Sequence, residues 1–287
     1  MKKILLQTTI EHAADDWSIE RFSILADLLS GTEDPQGKKL FQVTARNREN
    51  LASGDDRILR KLDETDFDQI WLFGVDVGGG LGSEDCTAIG RFRQRGGAIF
   101  TSRDHQDLGI SFCNLGGIGG ANHFHSKNPE ADSSRRKEDD NDTPTISWPN
   151  YHSGKNGDFQ RVEVVSPLHP IMRNPANPSG RIECLPAHPH EGAISVPPGE
   201  THARVISVGK SLTTSHPFNL TIAFDRNGNG RAVVDSSFHH FADYNFDPRM
   251  GSPSFVMEAP GYALMENATA LGDAETYVVN IARWLAE

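Results

Sequence analysis

Gly97-Ala98-Ile99-Phe100-Thr101-Ser102 runs directly into Arg103-Asp104-His105. A short apolar run ending in charged and imidazole groups reads as a buried parallel strand with chemistry at its C-terminal end, the edge where open α/β sheets place ligands. Two other stretches share this layout. Gln69-Ile70-Trp71-Leu72-Phe73-Gly74-Val75 leads into Asp76, and Ala232-Val233-Val234-Asp235-Ser236-Ser237-Phe238 leads into His239-His240-Phe241-Ala242-Asp243. As parallel strands, the three would bring their polar ends to one edge.

Around these runs, residues 1–113 alternate strand and helix patterns. Strands are expected at 3–9, 40–45, 69–75 and 98–102, and helices at 17–29, 55–62 and 83–95. Asp16 or Ser18 is available to cap the helix over 17–29, and Gly96-Gly97 ends the helix over 83–95. Repeated βα units require right-handed crossovers and a sheet covered on both faces. Periodicity then disappears from 114 to about 160, a length of irregular chain that is usually functional or disordered. Composition marks 128–142 as disordered. Beyond Arg161 strands are expected at 181–185, 203–208, 218–224 and 231–238, with hairpin-turn chemistry at Asp225-Arg226-Asn227-Gly228-Asn229-Gly230. A helix over 274–285 closes the chain. The expectation is one α/β domain over 1–287, a flavodoxin-like three-layer αβα sandwich with a mostly parallel sheet, a loop insertion at about 114–160 and a strand-rich C-terminal half.

Composition narrows the partners. With 28 Lys and Arg against 39 Asp and Glu, the formal charge is −11 over 287 residues. That balance argues against nucleic acid and anionic membranes, both of which need a concentrated basic face. The one basic cluster, Arg135-Arg136-Lys137, is followed at once by Glu138-Asp139-Asp140 and reads as a solvated loop. No run approaches the roughly 18 apolar residues of a membrane span. Met1-Lys2-Lys3-Ile4-Leu5-Leu6 is too short an apolar core for a signal peptide. Cys86, Cys113 and Cys184 are odd in number and widely spaced, so neither a disulfide framework nor a zinc knuckle is expected. A cytoplasmic location is the default, with a small-molecule ligand and a homo-oligomer left open.

The order of elements resembles the trehalose-utilisation (ThuA-like) family of the class I glutamine-amidotransferase-like superfamily. Three stretches carry the resemblance. Phe92-Arg93-Gln94-Arg95-Gly96-Gly97-Ala98-Ile99-Phe100 resembles the helix, paired glycines and strand before the family's nucleophile elbow. Leu168-His169-Pro170-Ile171 resembles its His-Pro-Ile segment, and Gly230-Arg231-Ala232-Val233-Val234 its late Gly-Arg-Val strand, which ends here in His239-His240. The resemblance implies the fold more than a reaction. The chain also departs from the superfamily's glutaminases, because the elbow position reads Thr101-Ser102-Arg103-Asp104-His105 with no cysteine. Thiolate chemistry needs an exposed, activated sulfur, so glutaminase activity is not expected.

Asp104-His105 is the sharpest catalytic candidate. A carboxylate beside an imidazole fixes its tautomer and raises its basicity, although Asp104 could instead merely cap a following helix. Arg103 could bind a carboxylate or phosphate in two-pronged fashion, or hold Asp76 or Asp107 in an ion pair. His239 and His240 form the second catalytic candidate, with alternation along the strand turning one of them to the pocket and the other beneath it. His123-Phe124-His125 and His188-Pro189-His190-Glu191 have the alternating spacing that metal sites use, and 12 histidines cluster at several loops. A divalent metal is therefore allowed, its ligands unassigned. Trp148-Pro149-Asn150-Tyr151-His152 offers stacking and hydrogen-bonding groups for a polyhydroxylated ligand, or aromatics that plug the core. Glu11, Asp76, Arg103, His123, His125, Asn150, His152 and His190 make up the substrate-binding expectation. The reading is an enzyme acting on a small polar, sugar-like metabolite by His/Asp acid–base chemistry, as a hydrolase or a lyase/isomerase. A non-catalytic ligand-binding protein of the same fold is the alternative.

Overall fold

The computed structural model describes residues 1–136, 139–140, 143–146 and 150–287. In chain order the regular elements are β1 (Lys2–Thr8), α1 (Ser23–Gly31), β2 (Phe41–Arg46), β3 (Gln69–Phe73), α2 (Ser83–Gln94), β4 (Ala98–Ser102), β5 (Asp158–Arg161) and β6 (Glu163–Val164). There follow β7 (Cys184–Ala187), β8 (Ala203–Lys210), β9 (Pro217–Phe224), β10 (Ala232–Asp235), α3 (Asp243–Phe246), α4 (Ala263–Glu266) and α5 (Ala268–Leu285). Eight strands form one sheet in the order β2-β1-β3-β4-β10-β9-β8-β6, and β5 pairs separately with β7. Neighbours from β2 to β10 are parallel, whereas β9, β8 and β6 continue the sheet antiparallel. This is the flavodoxin-like order on one side and a hairpin meander on the other.

The sheet is buried on both faces because its strands are apolar at both parities. Ile4, Leu6, Trp71, Phe73, Phe100 and Val233 face a cluster completed by Leu25 and Leu29 of α1 and by Tyr277, Val278 and Ile281 of α5. Leu5, Ile70, Leu72, Ile99, Ala232 and Val234 face the opposite cluster with Ala88, Ile89 and Phe92 of α2. Two helical layers around one sheet give the expected αβα sandwich.

Several local expectations are corrected. The expected helix over 17–29 divides into a 3-10 turn (Ile19–Phe22) and α1. Neither Asp16 nor Ser18 caps α1. The distant Asp243 carboxylate accepts from the Ser23 and Ile24 amides at 2.9 and 2.8 Å. Cys86 and Cys113 form a disulfide with their Cα atoms 6.0 Å apart. The spacing gave no hint of it, because the loop from 109 to 115 folds back over α2. Within 128–142, expected to be disordered, Glu130 and Asp139 are buried. Lys137, Glu138, Trp148 and Pro149 lie outside the described residues. Among the described residues, no helix is long and apolar enough to cross a membrane.

Candidate functional site

Strand register sets the site. Ser102 at the end of β4 pairs with Phe73 of β3 and with Asp235 of β10, so the three strands finish level. Residues 103–105 and 236–240 then emerge side by side, locked by the Phe238 amide donating to the Arg103 carbonyl at 2.8 Å. The segment 188–192 crosses these strand ends. It passes so close that a Cβ on Gly192 would lie 2.5 Å from the Asp104 carbonyl oxygen and 3.0 Å from that of Ser236. Only glycine permits that approach. On its other side Tyr151 and Glu191 exchange backbone hydrogen bonds at 3.1 and 2.9 Å, and Ser153 Oγ bonds the His188 backbone.

Asp104 is buried, with three imidazoles around its carboxylate. His105 Nδ1 donates to Oδ2 at 2.8 Å, His188 Nε2 lies 3.1 Å from Oδ1, and His239 Nε2 lies 3.5 Å from Oδ2. Burial opposes ionisation of Asp104, but His105 and His239 outweigh it and hold the carboxyl well below its ordinary range. His188 stacks on His239 with centroids 4.4 Å apart. Burial, with His239 adding, holds His188 well below the usual imidazole range. His239 packs edge-on against Trp17.

Asp104, His105, His188, His190 and His239 line a cavity of about 240 Å³, walled by Trp17, Leu108, Ile146, Phe255 and Val256. Thr143, Asn156 and Glu258 complete its polar lining. His190 bridges Asp140 at 2.8 Å and Glu258 at 3.3 Å. Burial disfavours its charge, yet the two carboxylates overcome that and push its pKa up to about 9. The bond from His190, against burial, draws Glu258 down to about 2.

His240 does not reach the cavity. Its Nδ1 lies 2.7 Å from Asp235 and its Nε2 3.1 Å from Glu191, both fully buried carboxylates. Against burial, they push its pKa up to about 10, so it is a fixed cation beneath the site. Tyr277 donates to the far oxygen of Asp235 at 2.6 Å, and Ser236 to that of Glu191 at 2.7 Å.

Most of the expected substrate-binding residues lie elsewhere. Arg103 is wholly buried and spends its donors on the carbonyls of Leu108, His123 and Gln106, with its guanidinium 4.5 Å over the Phe124 ring. A ligand-gripping Arg103 is therefore corrected to one that folds the loop after β4. Asp76 accepts from Ser111 Oγ at 2.8 Å and from the Gly78 amide, tying two loops together away from the cavity. Glu11 is exposed beside Asn50. His123 is buried against Ser195 Oγ and the Asn128 carbonyl, and His125 is exposed, so this pair does not converge. Asn150 is buried and His152 half-buried behind the 188–191 segment. Tyr151 stacks on Phe218 in the core, 4.8 Å between centroids, so it is no platform for a sugar.

The sequence reading named His188 only within a spacing that metal sites use and passed over Glu258, Thr143, Trp17 and Asn245 as site residues. His188 carried a signal, since His188-Pro189-His190 alternates and both rings line the cavity. The others carried none, because long-range packing alone brings them in.

No protein-family model matches the chain, and neither does any curated protein sequence. Among solved structures, the chain is similar to a ThuA-like protein from Parabacteroides merdae ATCC 43184, with TM-score 0.47, 14% identity, and 99% of this chain and 90% of that one covered. It is also similar to the glutaminase domain of Trypanosoma brucei CTPS with bound acivicin, with TM-score 0.45, 12% identity, and coverage of 98% and 93%.

Proposed function

We propose that the chain is an enzyme that acts on a small polar metabolite, of sugar-derivative type, by acid–base chemistry centred on His105. One observation carries the reading: His105 commits Nδ1 to the buried Asp104 carboxylate and lines the cavity, leaving Nε2 as its proton-exchanging atom. A carboxylate in that position fixes the tautomer and favours the imidazolium that forms when the ring takes a proton. The cavity of about 240 Å³ is smaller than the roughly 300–1,000 Å³ typical of drug-sized sites. Its apolar wall and its polar Thr143, His190 and Glu258 side suit a ligand with one hydrophobic face and several hydroxyls.

Hydrolysis and lyase or isomerase chemistry both fit this proton-transfer group. Glutaminase chemistry has no support here: Cys86 and Cys113 are bonded to each other, and Cys184 is buried at the start of β7, its thiol pushed up by burial. A cytoplasmic location belongs to the reading and rests on sequence. The disulfide weighs against it, since such bonds persist chiefly in oxidising compartments.

The test is a turnover screen of sugar acids, lactones, keto-sugars and related polyols. The expected result is a substrate whose kcat falls about 10²–10⁴-fold in His105→Gln. A ligand that binds without turning over would replace the enzyme by a binding protein. Full turnover in His105→Gln would remove His105 from the mechanism.

A further inference from the structure

The packing at Asp104 brings two imidazole Nε2 atoms to one buried carboxylate. Asn245 donates its amide N–H groups to the Ala187 carbonyl at 2.9 Å and to Asn156 Oδ1 at 3.3 Å, which fixes its orientation. Its Oδ1 must then accept, so His239 Nδ1, 3.0 Å away, carries the proton. The Nε2 of His239, on the far side of the ring, lies 3.5 Å from the carboxylate of Asp104, both groups being buried. His188 aims its own Nε2, 3.0 Å from Ser237 Oγ, at the same carboxylate, and its Nδ1 has no hydrogen-bond partner among the described residues. Two buried imidazole nitrogens and a carboxylate that converge on one point are, once both Nε2 atoms are deprotonated, the donor set of a bound cation.

We propose that Asp104, His188 and His239 bind a first-row divalent transition metal of the Zn²⁺ class, through one carboxylate oxygen and two imidazole Nε2 atoms on the cavity floor. The three ligand atoms lie within 4.8 Å of one another. His188 Nε2 lies 3.1 Å from Oδ1 and His239 Nε2 3.5 Å from Oδ2, so the two imidazoles flank the carboxylate from its two oxygens. The supporting contacts are those such a site needs. His239 anchors its far N–H on Asn245, and His105 donates to the ligating carboxylate of Asp104. Imidazole donors favour Zn²⁺, Fe²⁺ or Co²⁺ over Mg²⁺ and Ca²⁺. Three protein ligands leave further coordination positions toward the cavity, as catalytic rather than structural zinc does. The neighbouring trio His188, Glu191 and His240 is excluded, because both nitrogens of His240 already face carboxylates and carry protons. The metal goes beyond the acid–base reading, which does not require one.

Untagged protein, stripped with chelator and dialysed, is titrated with Zn²⁺ and with Co²⁺, with metal content read by elemental analysis. The expected result is one equivalent per chain, a raised Tm, and a visible d–d band with Co²⁺. His188→Ala and His239→Ala should each lose stoichiometric binding while keeping their far-UV circular dichroism. Asn245→Ala, which removes no ligand, should bind about 10–100-fold more weakly. No stoichiometric binding by the parent protein overturns the proposal. So does unchanged affinity in His239→Ala, or in Asn245→Ala should the ligand variants fail to fold. Binding is read without substrate, so its failure leaves the acid–base reading standing, and a failed turnover screen leaves this proposal standing.

Discussion

Asp104 is the residue on which the site turns, since a single buried carboxylate orients His105, faces His188 and meets His239. Replacing it by Asn keeps the shape and removes the charge. The amide can no longer accept from all of its neighbours, so at least one imidazole must turn. Asp104→Asn is expected to lower kcat on any substrate found by about 10²–10⁴-fold, with a much smaller change in KM. Equal turnover in the Asn variant would show that the charge has no part in the reaction. At this scale the sequence was legible only in part. Asp104 and His105 were readable because they follow an apolar run directly, whereas the orientation of His239 depends on Asn245, whose approach no spacing encodes.

The elements explain why these residues meet. Level ends of β3, β4 and β10 bring 103–105 beside 236–240, and the 188–192 segment lies across them with Gly192 at the point of closest approach. Gly192→Ala should cost about 1–3 kcal/mol in urea unfolding, because two backbone carbonyls and the Arg103 guanidinium, itself held by three carbonyls, stand where the methyl would go. A stability within experimental error of the parent would mean that the segment is not pinned. The His-Pro-Ile stretch has a different role. His169 caps the 3-10 turn Pro170–Met172 through Nδ1 and packs edge-on against Trp284, 4.9 Å between centroids. Burial, with Arg204, Arg231 and Arg173 adding repulsion, pushes its pKa down to about 4. In the unfolded chain the ring titrates near 6.5. Its contribution to stability is therefore complete above pH ~6.5 and is lost as pH falls from there toward about 4. His169→Gln should flatten the fall of Tm over that window, and an unchanged slope would contradict the assignment. Strands such as β4 were readable from their apolar runs, and the β9–β10 hairpin from its turn residues. The capping of α1 was not, because Asp243 reaches it from the far end of the chain.

The whole molecule is an eight-stranded sheet between two helical layers, with its candidate site at the carboxyl edge of the parallel half. The two-sided apolar pattern made the sandwich legible. What stayed hidden was whatever depends on chain crossings. Cys86 and Cys113 meet only because a loop folds over α2, and 188–192 reaches the strand ends only after the irregular insertion has turned back. The central claim, that one carboxylate gathers three imidazoles into a single constellation, can be read without any substrate. Long-range ¹H–¹⁵N spectra of the imidazole rings, recorded for metal-free parent and Asp104→Asn, test it most directly. The account predicts that His105 carries its proton on Nδ1, and that the His105, His188 and His239 resonances shift together in the variant while His169 stays in place. Three unmoved rings, or a His105 protonated on Nε2 in the parent, would contradict it.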